Sequence, residues 1–198
     1  MIVIGLTGSI AMGKSEVARV LSAEGIPLFD ADKEVHALYD SVEGAHLLRR
    51  LAPTAIAGDK VDRAILSGLV LNEPDLLARL EKIIHAEIAK RRDTFVAAAK
   101  SGGNAVVVVD VPLLFEKGGD RDVDVSIVVS APEHEQHRRA LARPGMTSEK
   151  LNMILKRQMP DAEKRRRATY VIENNGTLED LQAKALTVLK HIRRNHVL

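Results

Sequence analysis

The run IVIGLTGSIAMGKS at residues 2–15 constrains the chain more than any other stretch. A short β-branched segment, Ile2 to Leu6, passes straight into a loop framed by Gly8 and Gly13 and closed by Lys14 and Ser15. The spacing is G-x-x-x-x-G-K-S, in which successive backbone N–H groups form a concave nest for an anion. Such a nest needs a buried strand to deliver the chain to it. It also needs a helix that leaves it with its N-terminus toward the anion. Lys14 then bridges the β- and γ-phosphates of a nucleotide such as ATP, and Ser15 offers its hydroxyl to Mg²⁺. Gly8 and Gly13 are the required positions. Ser9, Ile10, Ala11 and Met12 fill the variable span, with side chains expected to point away from phosphate, and Glu16 lies just past the cradle. Gly8 to Glu16 is therefore the expected nucleotide-binding stretch.

The rest of the chain repeats the alternation of strand and helix. Val17, Val20 and Leu21 recur at helical spacing between Lys14 and Glu24, and Gly25 ends that helix. Residues 26–29 (IPLF) form a second short strand, closed by Asp30-Ala31-Asp32. Residues 32–100 read as mostly helical, punctuated by Gly44, by Pro53 with Gly58, and by Pro74. A long amphipathic helix is expected from about Pro74, with Asn72 as its cap. Further buried strands are expected within 104–116, 124–131 and 168–174, and helices over 133–142, 148–167 and 177–194. Near-continuous apolar strands alternating with helices predict a parallel sheet covered on both faces, an α/β fold. In such sheets ligands gather at the carboxyl ends of the strands. The glycine loop, DAD at 30–32 and DVPLLFE at 110–116 all fall there.

Composition narrows the class. The chain has no cysteine, which excludes disulfides and thiolate metal sites and suits a cytoplasmic location. Its apolar start carries no basic residue and flows into the glycine loop, the pattern of a first strand rather than of a leader or an anchor. Net charge is only +2, so neither nucleic acid nor membrane is an expected partner. Basic clusters at 137–143, 163–169 and 191–198 read as solvated helix faces, or, for the first two, as contacts to a small phosphorylated ligand.

Several polar residues remain as candidates. Asp110 ends the apolar run VVVVD. It either joins the magnesium hydration shell through water or caps a loop. Of Asp30 and Asp32, one is expected to cap the following helix and the other to accept a proton from an acceptor hydroxyl. Arg139 and Arg143 stand four apart before a Pro-Gly break. On one helix face they make either a lid over a transferring phosphoryl group or a solvated basic face. HEQH at 134–137 lacks one spacer of the zinc motif and reads as solvated helix. Neither D-x-x-G nor N-K-x-D occurs, which argues against a GTP switch.

Taken in order, GLTGSIAMGKS, PLFDAD with VHALY, VDRAIL, LEKIIH, VVVDVPLLFE, EHEQHRRALAR, LKRQMPDAEKRRRATYVIEN and NNGTLEDL resemble dephospho-CoA kinases, from about residue 3 to about residue 190. The resemblance implies a core like that of nucleoside monophosphate kinases, with a helical substrate-binding insertion and a short lid, all in one domain. The core would occupy about 1–31, 104–136 and 168–198, the substrate region about 32–103 and the lid about 137–167. It implies transfer of the ATP γ-phosphoryl to the ribose 3′-hydroxyl of dephospho-CoA. Asp32 matches the proposed base, Arg63 and His85 match residues lining the acceptor side, and Arg139 and Arg143 match the lid arginines. Pro112, Leu113, Leu114 and Phe115 match a substrate-side loop. Ala11, Glu16, Ala86 and Thr169 depart from the common pattern, where Gly, Thr, Pro and Asp are usual. The alternatives are another small-molecule P-loop kinase and a non-catalytic ATP-binding regulator.

Overall fold

The computed structural model describes residues 1–196. Residues 197 and 198, counted in the expected core and the last basic cluster, lie outside the described residues. Along the chain run β1 (Ile2–Thr7), α1 (Lys14–Ala23), β2 (Leu28–Asp30), α2 (Ala31–Tyr39), α3 (Val42–Leu48), β3 (Ile56–Ala57), β4 (Lys60–Val61), α4 (Arg63–Asn72) and α5 (Pro74–Ser101). There follow β5 (Val106–Asp110), β6 (Val125–Ser130), α6 (Glu133–Leu141), α7 (Ser148–Arg157), α8 (Asp161–Arg167), β7 (Tyr170–Glu173) and α9 (Leu178–His196). The chain divides into two compact units, residues 1–29 with 98–198, and residues 30–97.

The first unit carries a five-stranded sheet in the order β2-β5-β1-β6-β7, with β1 parallel to β5 and β6, and β6 parallel to β7. Strand side chains alternate between faces. Ile4, Leu6, Val106, Val108, Ile127, Val129 and Ile172 pack in one layer with Val17, Val20 and Leu21 of α1 and Leu181, Ala185, Leu189 and Ile192 of α9. The i, i+3, i+4 recurrence on α1 and α9 is what lets both helices present one apolar stripe to the sheet. Thr177 and Asp180 cap α9 reciprocally, each side chain accepting from the other's N–H at 3.2 and 2.9 Å. Thr169 exchanges hydrogen bonds with Ser126 of β6 at 3.0 and 3.1 Å.

The second unit is mainly helical. Leu48, Ala52, Ala55, Val61, Leu66, Leu76 and Leu80 form its core, beside a two-stranded antiparallel hairpin of β3 and β4. Two expectations need correction. Asn72 is the last residue of α4, its amide donating back to the Gly68 carbonyl at 3.0 Å, so it does not cap α5. Glu73 instead supplies the carbonyl that accepts from Leu76 and Leu77. The helix expected over 148–167 is two helices: α7 ends at Arg157, Gln158 is extended (φ −97°, ψ 145°), and Pro160 stands at the N-cap of α8, where it lacks the N–H that a continuing helix would need.

Candidate active site

The phosphate-type loop is shaped by close packing at its glycines. A Cβ at Gly8 would stand 2.8 Å from the Val129 carbonyl oxygen. Gly13 opens α1 at φ +100°, and a side chain there would strike the Asn174 amide. Ala11 is the only non-glycine at positive φ among the described residues, at +62°. An L-residue in that region costs about 1–2 kcal/mol. Ala11 and Met12 are buried, as their expected outward direction requires: Ala11 packs with Ala140 and Leu151, and Met12 Sδ accepts from the Ala131 N–H at 2.9 Å. Ser9 is buried too, its carbonyl accepting from the Met12 N–H. The N–H groups of Ala11, Gly13, Lys14 and Ser15 have no hydrogen-bond partner among the described residues. No side chain caps α1, whereas Asp30, Ser41, Asp62 and Thr147 cap α2, α3, α4 and α7. The result is an open cluster of donors at a helix N-terminus, where positive partial charge also gathers.

Lys14 reaches across to the tip of β5 and pairs with the buried carboxylate of Asp110. Ser15 is exposed beside it. Glu16 does not join this cradle. Its carboxylate is held by Arg19 and by Gln182 of α9 at 3.0 Å. Those bonds, chiefly Arg19's, hold it below the usual glutamate range.

The arginine pair is arranged differently from expectation. α6 ends at Leu141, so Arg143 lies beyond the helix in a turn and shares no helix face with Arg139. Arg139 pairs with Glu135 at 3.3 Å and donates to the Asn174 carbonyl at 3.4 Å, while its Nη1 is buried without a partner among the described residues. It lines a cavity of about 400 Å³ with Pro132, Glu135, Asn175 and Thr177. Arg143 is exposed. The second basic cluster is largely neutralised: Arg165 pairs with Glu173, Arg166 with Glu163 and Arg167 with Asp120. The HEQH stretch needs a correction: His134 is exposed, but Glu135 and His137 are only partly so, and Gln136 is buried with its amide donating to the Ile10 carbonyl, so this is not a solvated helix face throughout.

The loop after β5 also needs a correction. Leu114 and Phe115, matched to a substrate-side loop, are buried. Leu114 packs over Gly5, and Phe115 lies under the Arg167 guanidinium. Their side chains build the loop rather than line a ligand surface, while Pro112 and Leu113 are partly exposed. Lys164 of α8 fixes this loop from below. Fully buried, it pairs with Glu116 at 2.9 Å and donates to the Pro112 carbonyl at 3.3 Å.

In the second unit one of the two aspartates of DAD takes the expected capping role. Asp30 caps α2 by accepting from the Lys33 N–H at 3.1 Å. Asp32, in the first turn, is exposed and its carboxylate has no partner among the described residues. Arg63 opens α4, contacts His36 and lies 3.9 Å from Asp40. His85 is exposed on α5.

Sequence reasoning missed Gln136, Gln158, Asn174 and Lys164 as site-building residues. Lys164 sits in a run of basic residues where nothing local sets it apart. Gln136 alone left a trace, as a polar residue four before Ala140 on the buried side of a short helix.

A family model described as dephospho-CoA kinase matches residues 2–180. The dephospho-CoA kinase of Rhodopseudomonas palustris is 44% identical over 190 residues, covering 96% of this chain and 95% of that one. Among solved structures, dephospho-CoA kinase from Campylobacter jejuni superposes with a TM-score of 0.76 at 25% identity, covering 98% of both chains. Shikimate kinase from Acinetobacter baumannii, in complex with shikimate, shares the fold with a TM-score of 0.55 at 18% identity, covering 100% and 96%.

Proposed function

The chain belongs to the dephospho-CoA kinase family, and from that premise we propose how its residues divide the work of its reaction. The reaction is ATP-dependent phosphorylation of dephospho-CoA in coenzyme A biosynthesis. We infer that the acceptor is the ribose 3′-hydroxyl and that the protein works in the cytoplasm with Mg²⁺. The observation that carries the reading is the open set of N–H donors at 11 and 13–15, beside a lysine already held at the tip of β5.

In this reading the loop amides and Lys14 hold the β- and γ-phosphates. The rest of the nucleotide extends toward the cavity bounded by Arg139, Asn175 and Thr177. The exposed Ser15 hydroxyl and the Asp110 carboxylate fit a magnesium ion that takes few protein ligands and keeps several waters. Bound there, the ion would neutralise charge developing on the phosphates. Asp32 is free to accept the acceptor proton because Asp30 takes the capping role. Arg139 and the exposed Arg143 neutralise charge on the transferring group. The helical region of about 32–103, with Arg63 and His85, receives the acceptor, and about 137–167 serves as a lid.

Dephospho-CoA incubated with ATP, Mg²⁺ and the protein should gain one phosphate, located at the ribose 3′ position by fragmentation mass spectrometry. Transfer to another hydroxyl would overturn the acceptor assignment, and absence of transfer the activity itself.

A further inference from the structure

We propose that three side-chain amides, Gln136, Gln158 and Asn174, are positioning residues that hold the phosphate loop in its binding shape. Each comes from a different element and takes one main-chain group of the loop. Gln158, just past α7, accepts from the Ile10 N–H at 3.1 Å. Gln136 of α6 donates to the Ile10 carbonyl at 2.9 Å. Asn174, just past β7, donates to the Met12 carbonyl at 3.0 Å. Gln136 and Asn174 are buried, at 5% and 8% exposure, where a polar group without a partner is costly.

The brace surrounds the strained residue. Gln136 and Gln158 lock the two peptide groups flanking Ile10, and Asn174 takes the carbonyl on the far side of Ala11. The left-handed Ala11 lies between them, with its methyl against Ala140 and Leu151. A backbone in a sparsely populated region persists only where its surroundings over-determine it. The brace engages one N–H, that of Ile10, and two carbonyls. It leaves the N–H groups of Ala11, Gly13, Lys14 and Ser15 to the ligand. It therefore organises the nest before the anion arrives, and its loss weakens ATP and not the acceptor. The inference rests on residues 8–15 being the ATP phosphate site.

Main-chain chemistry dictates the polarity of each contact: position 158 must accept and position 136 must donate. Glutamate is isosteric, accepts, and does not donate when ionised. Gln136→Glu and Gln158→Glu each add one charge beside Ile10; the first loses its donor at a buried position, and the second keeps its acceptor at a half-buried one. Mg-ATP affinity by calorimetric titration, KM for each substrate and thermal midpoint are the readouts. Gln136→Glu should weaken ATP about tenfold more than Gln158→Glu, with KM for dephospho-CoA unchanged. Gln158→Glu should rescue the loss seen in Gln158→Ala. In the Gln136→Glu background, Ala11→Gly should recover ATP affinity, since glycine adopts the left-handed conformation without support. Equal ATP affinities in the two glutamate variants would overturn the brace, as would losses falling equally on both substrates. If Gln136→Glu does not fold, the Gln158 pair decides: alanine and glutamate variants with the same ATP affinity overturn the brace. Failure of the wild-type protein to bind Mg-ATP would overturn the phosphate-site reading itself.

Discussion

Asp32 and Asp30 lie two residues apart and have opposite fates, set by one hydrogen bond. Asp30 is tied to the Lys33 N–H, and Asp32 is left exposed. Replacing Asp32 by Asn should lower kcat by about 10²- to 10⁴-fold, the range for loss of a positioned base. The thermal midpoint should not move, because no folded-state contact is lost. Steady-state kinetics alongside a melting curve separates the two effects, and near-wild-type turnover would remove Asp32 from the role. Lys14→Ala should remove most activity and also destabilise the fold, because it removes the ion pair to the buried Asp110 carboxylate. Glu16 makes a pH prediction. Arg19 and Gln182 depress its folded pKa below the ordinary 4.5. The stability it contributes is therefore complete above that value and is lost as pH falls through the lower, folded value. Glu16→Gln should flatten the stability profile over that acidic window, as followed by urea titration, and leave the profile near pH 7 unchanged in slope.

Elements here are tied together at a few polar points. Lys164 of α8 holds the loop after β5 through Glu116 and the Pro112 carbonyl. Glu116 also accepts from the Met159 N–H at 2.7 Å, in the link between α7 and α8. Removing one partner of a buried pair leaves an uncompensated charge. Lys164→Met should therefore cost about 3–5 kcal/mol of unfolding free energy. Adding Glu116→Gln should recover part of that loss in denaturant titrations, and a double variant no more stable than the single one would count against the pair. Most elements were legible because their signals are local. The i, i+3, i+4 stripe of α1 and the apolar runs of β1, β5 and β6 announce themselves. The failures came where periodicity outvoted a stop signal. The helical pattern around Pro160 is interrupted, with α7 ending at Arg157 and α8 starting after Pro160, and Asn72 had cap chemistry but lay on the wrong side of the boundary.

For the whole molecule, a ligand that binds the folded chain and not the unfolded one stabilises it by mass action. Mg-ATP at 100 times its dissociation constant should add about 2.7 kcal/mol, seen as a rise in thermal midpoint that Lys14→Ala abolishes. No such rise in the wild-type protein would contradict the phosphate-loop reading. The sequence alone determined the α/β class, the phosphate loop with its glycines, lysine and serine, and the family, because each is written in residues adjacent along the chain. Near-continuous apolar strands can be satisfied only inside a covered parallel sheet, and a G-x-x-x-x-G-K-S turn only between a strand and a helix. Tertiary structure decided which polar residues serve that loop. Lys164 looked like its basic neighbours, Leu114 and Phe115 like parts of a substrate-side loop, and nothing local marked Gln158 or Asn174. Partners 162 residues apart in the chain, such as Met12 and Asn174, meet only after folding. Whether a buried amide donates or accepts is set by the main-chain group it meets there, and no local pattern records that.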